Sequence, residues 1–486
     1  MMEVSSRTPG NFIGGTWECE ASEWMESINP ANGEILAHLP KSSRHTAQRA
    51  IAVASQAQRS WEKTTAWERA DLCRRLADAV DAAAQHLGRV ISLDQGKPRQ
   101  QAEGEVSKAA DGLRLAADLG KYLTGETIPT ETPGRLVMTV RRPRGVYAVI
   151  TPWNFPVNIP VEYLAPAIAT GNSVVWVPAP STSLVAVEFM AVLEKAGLPA
   201  GVVNLVLGEG PVVGDEIVSN PGTAAVGFTG SAATGRRIAE RAAGKPLLLE
   251  LGGNGPLIVR ADADLAKAAE AAALGAFSNA GQICAATGRV LADKRIAAQL
   301  GELISEHARA HVLGDPLHQG TTMGPLNNQD VLEKTRAHVE GAIRAGASCI
   351  TGGRSRSDLG SELFFEPTVL LDVDPGMDVA RYETFGPVVP ILALEGDGEL
   401  METAQDSDYG LSMGIFSEDL GKAMAMATQL RAGIVNINER SNYWELHIPF
   451  GGGSRTQSGV GRIGGRHTME AMTEIATVTL PLERFE

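Results

Sequence analysis

Between Gly145 and Gly253 the chain alternates short apolar runs with helical patterns. The runs cover residues 146–150, 173–177, 202–207, 224–228 and 247–251, and helical patterns begin near Val157, Leu184, Val212 and Ala232. Strand–helix alternation of this kind builds a parallel sheet covered by its own connections, so a doubly wound α/β fold is expected. Such sheets bind ligands at the carboxyl ends of their strands. Thr151-Pro152-Trp153-Asn154-Phe155 follows the first run, Gly230-Ser231 the fourth, and Glu250 lies at the end of the fifth.

A second alternating series begins at 256–259. It continues with a helix over 264–277, a loop carrying Cys284, a strand at 289–292 and helices near 296–311 and 330–345. Strand-like runs recur at 368–371, 388–394 and 433–437, so a second α/β unit is expected. Before the first series, 12–17 reads as strand and turn, 29–34 as a tight turn, 46–96 as helical and 103–119 as an Ala-rich helix. Over 131–144, Leu136, Met138 and Val140 alternate with Val137, Thr139 and Arg141, which reads as a ribbon outside the main sheet. Its open edges need cover, and the ribbon is expected to pair across a subunit interface. The alternating tail at 475–480 is a candidate to pair with it, in the same or a partner subunit.

At 486 residues the chain is long enough for two or three cores. A net charge of -14 argues against nucleic acid as a partner. Cys19, Cys73, Cys284 and Cys349 are scattered without metal-binding spacing, so neither a metal site nor a disulfide framework is expected. Residues 1–10 are polar, and no apolar run approaches the roughly 20 residues needed to cross a bilayer. The expectation is a cytoplasmic protein with no membrane association.

Four stretches carry candidate chemistry: Gly281-Gln282-Ile283-Cys284, Thr151-Pro152-Trp153-Asn154-Phe155-Pro156, Glu250-Leu251-Gly252-Gly253 and Glu383-Thr384-Phe385-Gly386-Pro387. An aldehyde cannot release hydride until something adds to its carbonyl. A thiolate can add, and the resulting thioester is then open to water. Cys284 is the candidate nucleophile. Cys73 falls in a helical pattern, Cys349 before a strand and Cys19 near the amino terminus, and no His lies close to Cys284 in sequence. Asn154, between two aromatic residues, suits an oxyanion donor, a role worth about 3 kcal/mol of barrier; its plainer reading is an Asx turn before Pro156. Glu250 ends an apolar strand, where desolvation raises a carboxyl toward a useful base pKa. Gly230-Ser231 at a helix start suits a pyrophosphate, although the pattern is not GxGxxG. Glu383 suits ribose hydroxyls with Phe385 packed nearby; its plainer reading is a loop carboxylate.

Together these motifs, with Pro449-Phe450-Gly451-Gly452, resemble the aldehyde dehydrogenase superfamily in order and near-family spacing, from Phe12 to the tail. The resemblance implies a dinucleotide-binding domain (1–121 and 143–252), a catalytic domain (253–447) and a small β oligomerisation arm (122–142 and 468–486). It implies a homodimer or homotetramer acting on a small-molecule aldehyde. By position, Cys284 matches the nucleophile, Glu250 the base, Asn154 the oxyanion amide, Ser231 the phosphate ligand and Glu383 the ribose contact. Thr151, Pro152, Trp153, Gly230, Leu251 and Phe385 complete the implied cofactor site.

Three departures stand out. Val177-Pro178-Ala179-Pro180 replaces the usual Lys-Pro-Ser/Ala-Glu that holds the adenosine ribose, which favours NAD over NADP without excluding NADP. Glu162-Tyr163 replaces the frequent Trp-Lys of the substrate tunnel. Asn442-Tyr443-Trp444-Glu445-Leu446-His447 occupies the tunnel-mouth loop. Glu162, Tyr443, Trp444, Glu445 and His447 are therefore candidate pocket residues, pointing to a polar, hydroxylated, cationic or aromatic aldehyde. No Arg pair for a dicarboxylic semialdehyde is evident in the sequence. Alternative readings are an inactive descendant of the fold, a CoA-acylating relative and a cofactor-free thiol hydrolase.

Overall fold

The computed structural model describes residues 9–19 and 21–482. The outermost residues of the expected first domain and arm, 1–8 and 483–486, lie outside these. The expected parallel sheet is present. Its centre runs, in spatial order, Leu247–Glu250, Ala225–Thr229, Val146–Thr151, Ser173–Pro178 and Val203–Leu205, all parallel. Antiparallel strands close both sides: Asn11–Ile13 with Thr16–Glu18 at one, Gly459–Val460 at the other.

The continuous apolar runs follow from burial on both faces. Tyr147, Val149, Val174 and Trp176 enter one core, shared with helices Ala66–Ala82, Asn158–Thr170 and Ser183–Lys195. The alternate residues Val146, Ala148, Val175 and Val177 enter a second core, shared with helices Arg44–Trp61 and Ala232–Arg241. The period of two along each strand produces this split. Gly227 brings helix and sheet close, because a Cβ there would lie 2.6 Å from the Tyr163 ring. Near Val212 the chain forms a short π turn, Gly210–Gly214, before helix Asp215–Ser219.

The helical region before the sheet divides into Arg44–Trp61, Ala66–Ala82, Ala84–Asp94 and Arg99–Gly120. A capping box sets the first break: Glu68 N–H donates to Thr65 Oγ1 at 3.2 Å and Thr65 N–H to Glu68 Oε2 at 2.7 Å.

The second sheet has seven strands, ordered Ser348–Thr351, Thr368–Leu371, Val388–Leu394, Thr287–Asp293, Gly255–Val259, Ser412–Phe416 and Ile434–Ile437. Only the first of these pairs antiparallel. Two strands were not expected. Ser412–Phe416 is fully buried, but Gly414 interrupts its apolar pattern; a Cβ there would strike Leu257 at 2.5 Å. Cys349 lies within strand Ser348–Thr351 rather than before it.

The ribbon Arg135–Pro143 pairs antiparallel along its whole length with Thr473–Pro481 of the same chain, and with Thr127–Ile128 on its other edge. Ile475, Val478 and Leu480 remain exposed on it. No helix among the described residues is long and apolar enough to cross a membrane.

Candidate active site

Cys284 follows a turn that leaves helix Leu265–Phe277 in an uncommon conformation. Asn279 and Ala280 have φ of 50° and 54°, and Gly281 has 75°. A non-glycine residue in this left-handed region costs about 1–2 kcal/mol. Buried hydrogen bonds offset that cost. Asn279 Nδ2 donates to Asn154 O at 3.1 Å, Gln282 Nε2 to Asn279 O at 2.8 Å, and Asn327 N–H to Gln282 Oε1 at 2.9 Å. Gly281 must be glycine, since a Cβ would sit 2.1 Å from Gly386 O. The thiol loop is thus fastened to the Asn154 loop on one side and to the 383–387 loop on the other.

Two cavities meet at this point. A groove of about 190 Å³ is lined by Pro152, Trp153, Gly230, Ser231, Leu251, Lys334, Glu383 and Phe385. A cavity of about 330 Å³ is lined by Glu250, Glu162, Phe155, Ile159, Trp444, Lys108 and Arg440, among others. Asn154, Thr229 and Cys284 line both. No His lines either.

Several expected residues fall elsewhere. Thr151 is buried behind the groove, its Oγ1 accepting from Trp176 Nε1 at 2.8 Å, so its side chain completes the strand packing. Tyr443, Glu445 and His447 do not line the cavity. They engage one another instead: Tyr443 OH donates to Glu445 Oε1 at 2.6 Å, and His447 Nδ1 lies 3.6 Å from Glu445 Oε2. Of that loop, Trp444 and Asn442 face the cavity.

Burial dominates the electrostatics. It pushes the Cys284 thiol well above its ordinary pKa, and the carboxylates of Glu383, Glu250 and Glu162 push it further. Glu250 is raised well above the usual carboxylate range by burial, with Glu162 adding to the shift. Both Glu250 oxygens are buried without a hydrogen-bond partner. A buried acid with two orphaned oxygens calls for water or a ligand beside it. Burial also pushes half-buried Glu162 up to about 8, against the opposing hydrogen bond that Asn158 Nδ2 donates to Glu162 Oε1 at 2.6 Å.

The groove suits a dinucleotide. Ser231 caps helix Ala232–Arg241, accepting from Thr234 N–H at 3.2 Å, and the first turn of a helix attracts phosphate. Gly235 lets that helix approach Leu251, where a Cβ would meet the side chain at 2.5 Å. Glu383 lies across Gly252, where a Cβ would come 2.9 Å from its carboxylate, and it accepts from Gly253 N–H at 3.0 Å. Trp153 and Phe385 pack edge to face, ring centroids 5.6 Å apart.

The sequence model of the aldehyde dehydrogenase family matches residues 17–478. The chain belongs to the aldehyde dehydrogenase family. It is 36% identical to 3-sulfolactaldehyde dehydrogenase of Pseudomonas putida, over 96% of each chain. It is 36% identical to the NADP(+) succinate-semialdehyde dehydrogenase GabD of Escherichia coli, over 97% of each. Among solved structures it resembles betaine aldehyde dehydrogenase of Staphylococcus aureus in complex with NAD+. That match has a TM-score of 0.94 at 33% identity, covering 98% of this chain and 95% of the other.

In this aldehyde dehydrogenase a buried ion pair holds the site, in a region to which sequence reasoning assigned no chemistry. Lys97, only 1% exposed, pairs with the Glu105 carboxylate. Its ammonium also donates to Asn154 O at 2.9 Å and lies 3.8 Å from the Phe155 ring centroid. Glu105 Oε1 accepts from Val157 N–H at 2.9 Å and Asn158 N–H at 3.2 Å, fixing the start of helix Asn158–Thr170. A signal existed in Gln95-Gly96-Lys97-Pro98, a helix stop followed by a lone Lys. Lys334, Lys108 and Arg440 carried no local signal, because their neighbours in the site come from distant segments.

Breaking a buried pair from one side strands the other charge, at about 3–5 kcal/mol. Lys97→Met should lower unfolding stability by that amount in denaturant titration, and Lys97→Met/Glu105→Leu should recover most of it. Equal loss in the single and double variants would contradict the pairing.

Proposed function

We propose that this aldehyde dehydrogenase oxidises its substrate to a carboxylic acid with NAD(P)+, through a covalent intermediate on Cys284 and hydrolysis assisted by Glu250. One observation carries the reading: Cys284, Asn154 and Thr229 form a wall common to the dinucleotide-shaped groove and the cavity holding Glu250. Cys284 gives up its thiol proton to solvent, its Sγ forms the C–S bond and the carbonyl electron pair moves onto oxygen; that pair re-forms the carbonyl as hydride leaves, giving the thioester. One Asn154 Nδ2 hydrogen is held by Gln282 O at 2.9 Å, which leaves the second for the oxyanion. The Cys284 backbone N–H has no partner among the described residues and is a second donor. Each donor is worth about 3 kcal/mol of barrier. When bound, the nicotinamide supplies the acceptor for the hydride leaving that carbon, and a positive ring charge that favours the thiolate. Glu250 then takes a proton from water, the water oxygen bonds to the thioester carbon, and the C–S bond breaks to release the acid and the thiolate. A free carboxyl positioned for water favours hydrolysis over transfer to CoA, and the retained thiol and amide argue against an inactive descendant.

Ser231 and the helix start behind it would hold the pyrophosphate, and Glu383 the ribose hydroxyls. Val177 and Pro180 bring no cation toward a 2'-phosphate, so NAD is the favoured nucleotide. Residues 1–121 and 143–252 are assigned to cofactor binding, 253–447 to catalysis, and 122–142 with 468–486 to the arm. Exposed Ile475, Val478 and Leu480 on the arm suit a homodimer or homotetramer interface. Four free thiols suit the reducing cytoplasm. Relatives are named for substrates of opposite charge, succinate semialdehyde and betaine aldehyde, so family membership leaves substrate charge undecided.

Cys284→Ala should abolish formation of reduced nucleotide while leaving the unfolding midpoint unchanged; substantial residual turnover removes Cys284 from the scheme. Glu250 must be deprotonated to act, and its pKa is raised. The acid limb of thioester hydrolysis should therefore lie well above the ordinary carboxylate range, with the rate rising as pH rises, and vanish in Glu250→Gln. A limb near pH 4 contradicts that role. Absorbance of the reduced nucleotide should give a higher kcat/KM with NAD than with NADP, and the reverse order would overturn the reading of Val177. Light scattering should report a dimer or tetramer at micromolar concentration; a monomer would leave the arm without its assigned role.

A further inference from the structure

The catalytic cavity is graded in polarity. Its floor holds buried Asn154, Glu250 and Thr229. Ile159, Phe450 and Ile463, each at most 8% exposed, give it apolar walls. Lys108 and Arg440 line it from less buried positions. Among the described residues, neither cationic side chain has an ion-pair or hydrogen-bond partner. Arg44, Arg49, Arg114, Arg241 and Arg260 each pair with a carboxylate; cations such as Arg75, Arg89 and Arg236 make no ion pair among the described residues, but they do not line this cavity as Lys108 and Arg440 do.

The two cations sit on fixed supports. Lys108 is carried one turn beyond Glu105 on helix Arg99–Gly120, the helix anchored by the Lys97 pair. Arg440 is carried on a loop pinned by Asn436, whose Nδ2 donates to the carbonyls of Arg440, Ser441 and Tyr443 at 3.1, 3.2 and 3.1 Å.

We propose that Lys108 and Arg440 grip a carboxylate or sulfonate at the end of the substrate remote from its aldehyde. The substrate class is then an anionic semialdehyde, its carbonyl at Cys284 and its apolar middle against Phe450 and Ile463. This inference rests on the catalytic reading above. Glu162, on the same wall, does not oppose it. Burial pushes its carboxyl up to about 8, against the opposing pull of the Lys108 ammonium, and in the protonated form it donates rather than repels. Asn158 and Asn442 bring buried amide oxygens without partners to the same cavity. A hydroxyl, on water or on the substrate, satisfies them.

A charged hydrogen bond to an anion is worth about ten- to hundredfold in affinity. Turnover of succinate semialdehyde should therefore exceed that of butanal by at least that factor in kcat/KM, and betaine aldehyde should be poorer still. Lys108→Met and Arg440→Met should each raise KM for succinate semialdehyde by about ten- to hundredfold, a far larger change than either makes to kcat/KM for butanal. Lys108→Arg should restore most of the loss. Binding of glutarate to the Cys284→Ala protein, measured by calorimetry, needs no turnover and should weaken in the same two variants. Equal kcat/KM for the anionic and neutral aldehydes, or glutarate binding indifferent to both substitutions, overturns the anion site. If glutarate binding obeys the prediction while Cys284→Ala retains turnover, the anion site stands and the catalytic scheme falls.

Discussion

The buried pair of Lys97 and Glu105 is the constraint on which the rest of the site depends. An ammonium inside a protein is tolerable only when every proton finds an acceptor or a π face. Here the acceptors are a carboxylate and the carbonyl of Asn154, and the face is Phe155. One charge thereby fixes the backbone of the residue proposed to receive the oxyanion. Its partner fixes the first turn of the helix that carries Glu162. The strained Cys284 turn leans on the same carbonyl through Asn279. The left-handed residues keep their shape because a rigid neighbour holds them, and the thiol inherits its position from that neighbour.

The electrostatic character of the site follows from the same closure. Three carboxyls, Glu162, Glu250 and Glu383, share a desolvated region with a thiol, and no His lines it. None of these acids can carry its charge at ordinary cost. Burial raises the pKa of each, and a positive charge entering the groove changes the balance for all of them together. Lys334, beside Glu383 and 5.9 Å from the Phe385 centroid, is the resident cation of the groove.

Much of the fold was legible because its signals are local. Parallel strands buried on both faces read as continuous apolar runs, and 146–150 or 173–177 needed no tertiary information. Ser412–Phe416 escaped because Gly414, chosen for close approach to Leu257, erased the pattern. In the site, short motifs at strand and helix ends were enough to bring Cys284, Asn154 and Glu250 forward as candidates, and all three line the cavity. Thr151 was misread because an adjacent residue in a motif need not share its neighbour's exposure; its hydroxyl belongs to Trp176. Tyr443, Glu445 and His447 were misread because a polar loop can satisfy itself. Lys108 and Arg440 meet only when a helix and a loop more than three hundred residues apart enclose one cavity, and no window along the chain contains both.

The ribbon's partner strand has a temporal consequence. Arg141 and Thr473, bonded through Nη1 and Oγ1, are 332 residues apart. At ribosomal speeds of about 5–20 residues per second, the later strand is made roughly 20–70 s after the earlier one. Through that interval, residues 135–143 wait in the nascent chain with a bare hydrogen-bonding edge, the kind of surface chaperones cover. Completion of this enzyme's arm is therefore tied to the synthesis of residues 473–481, whatever its first sheet has achieved by then.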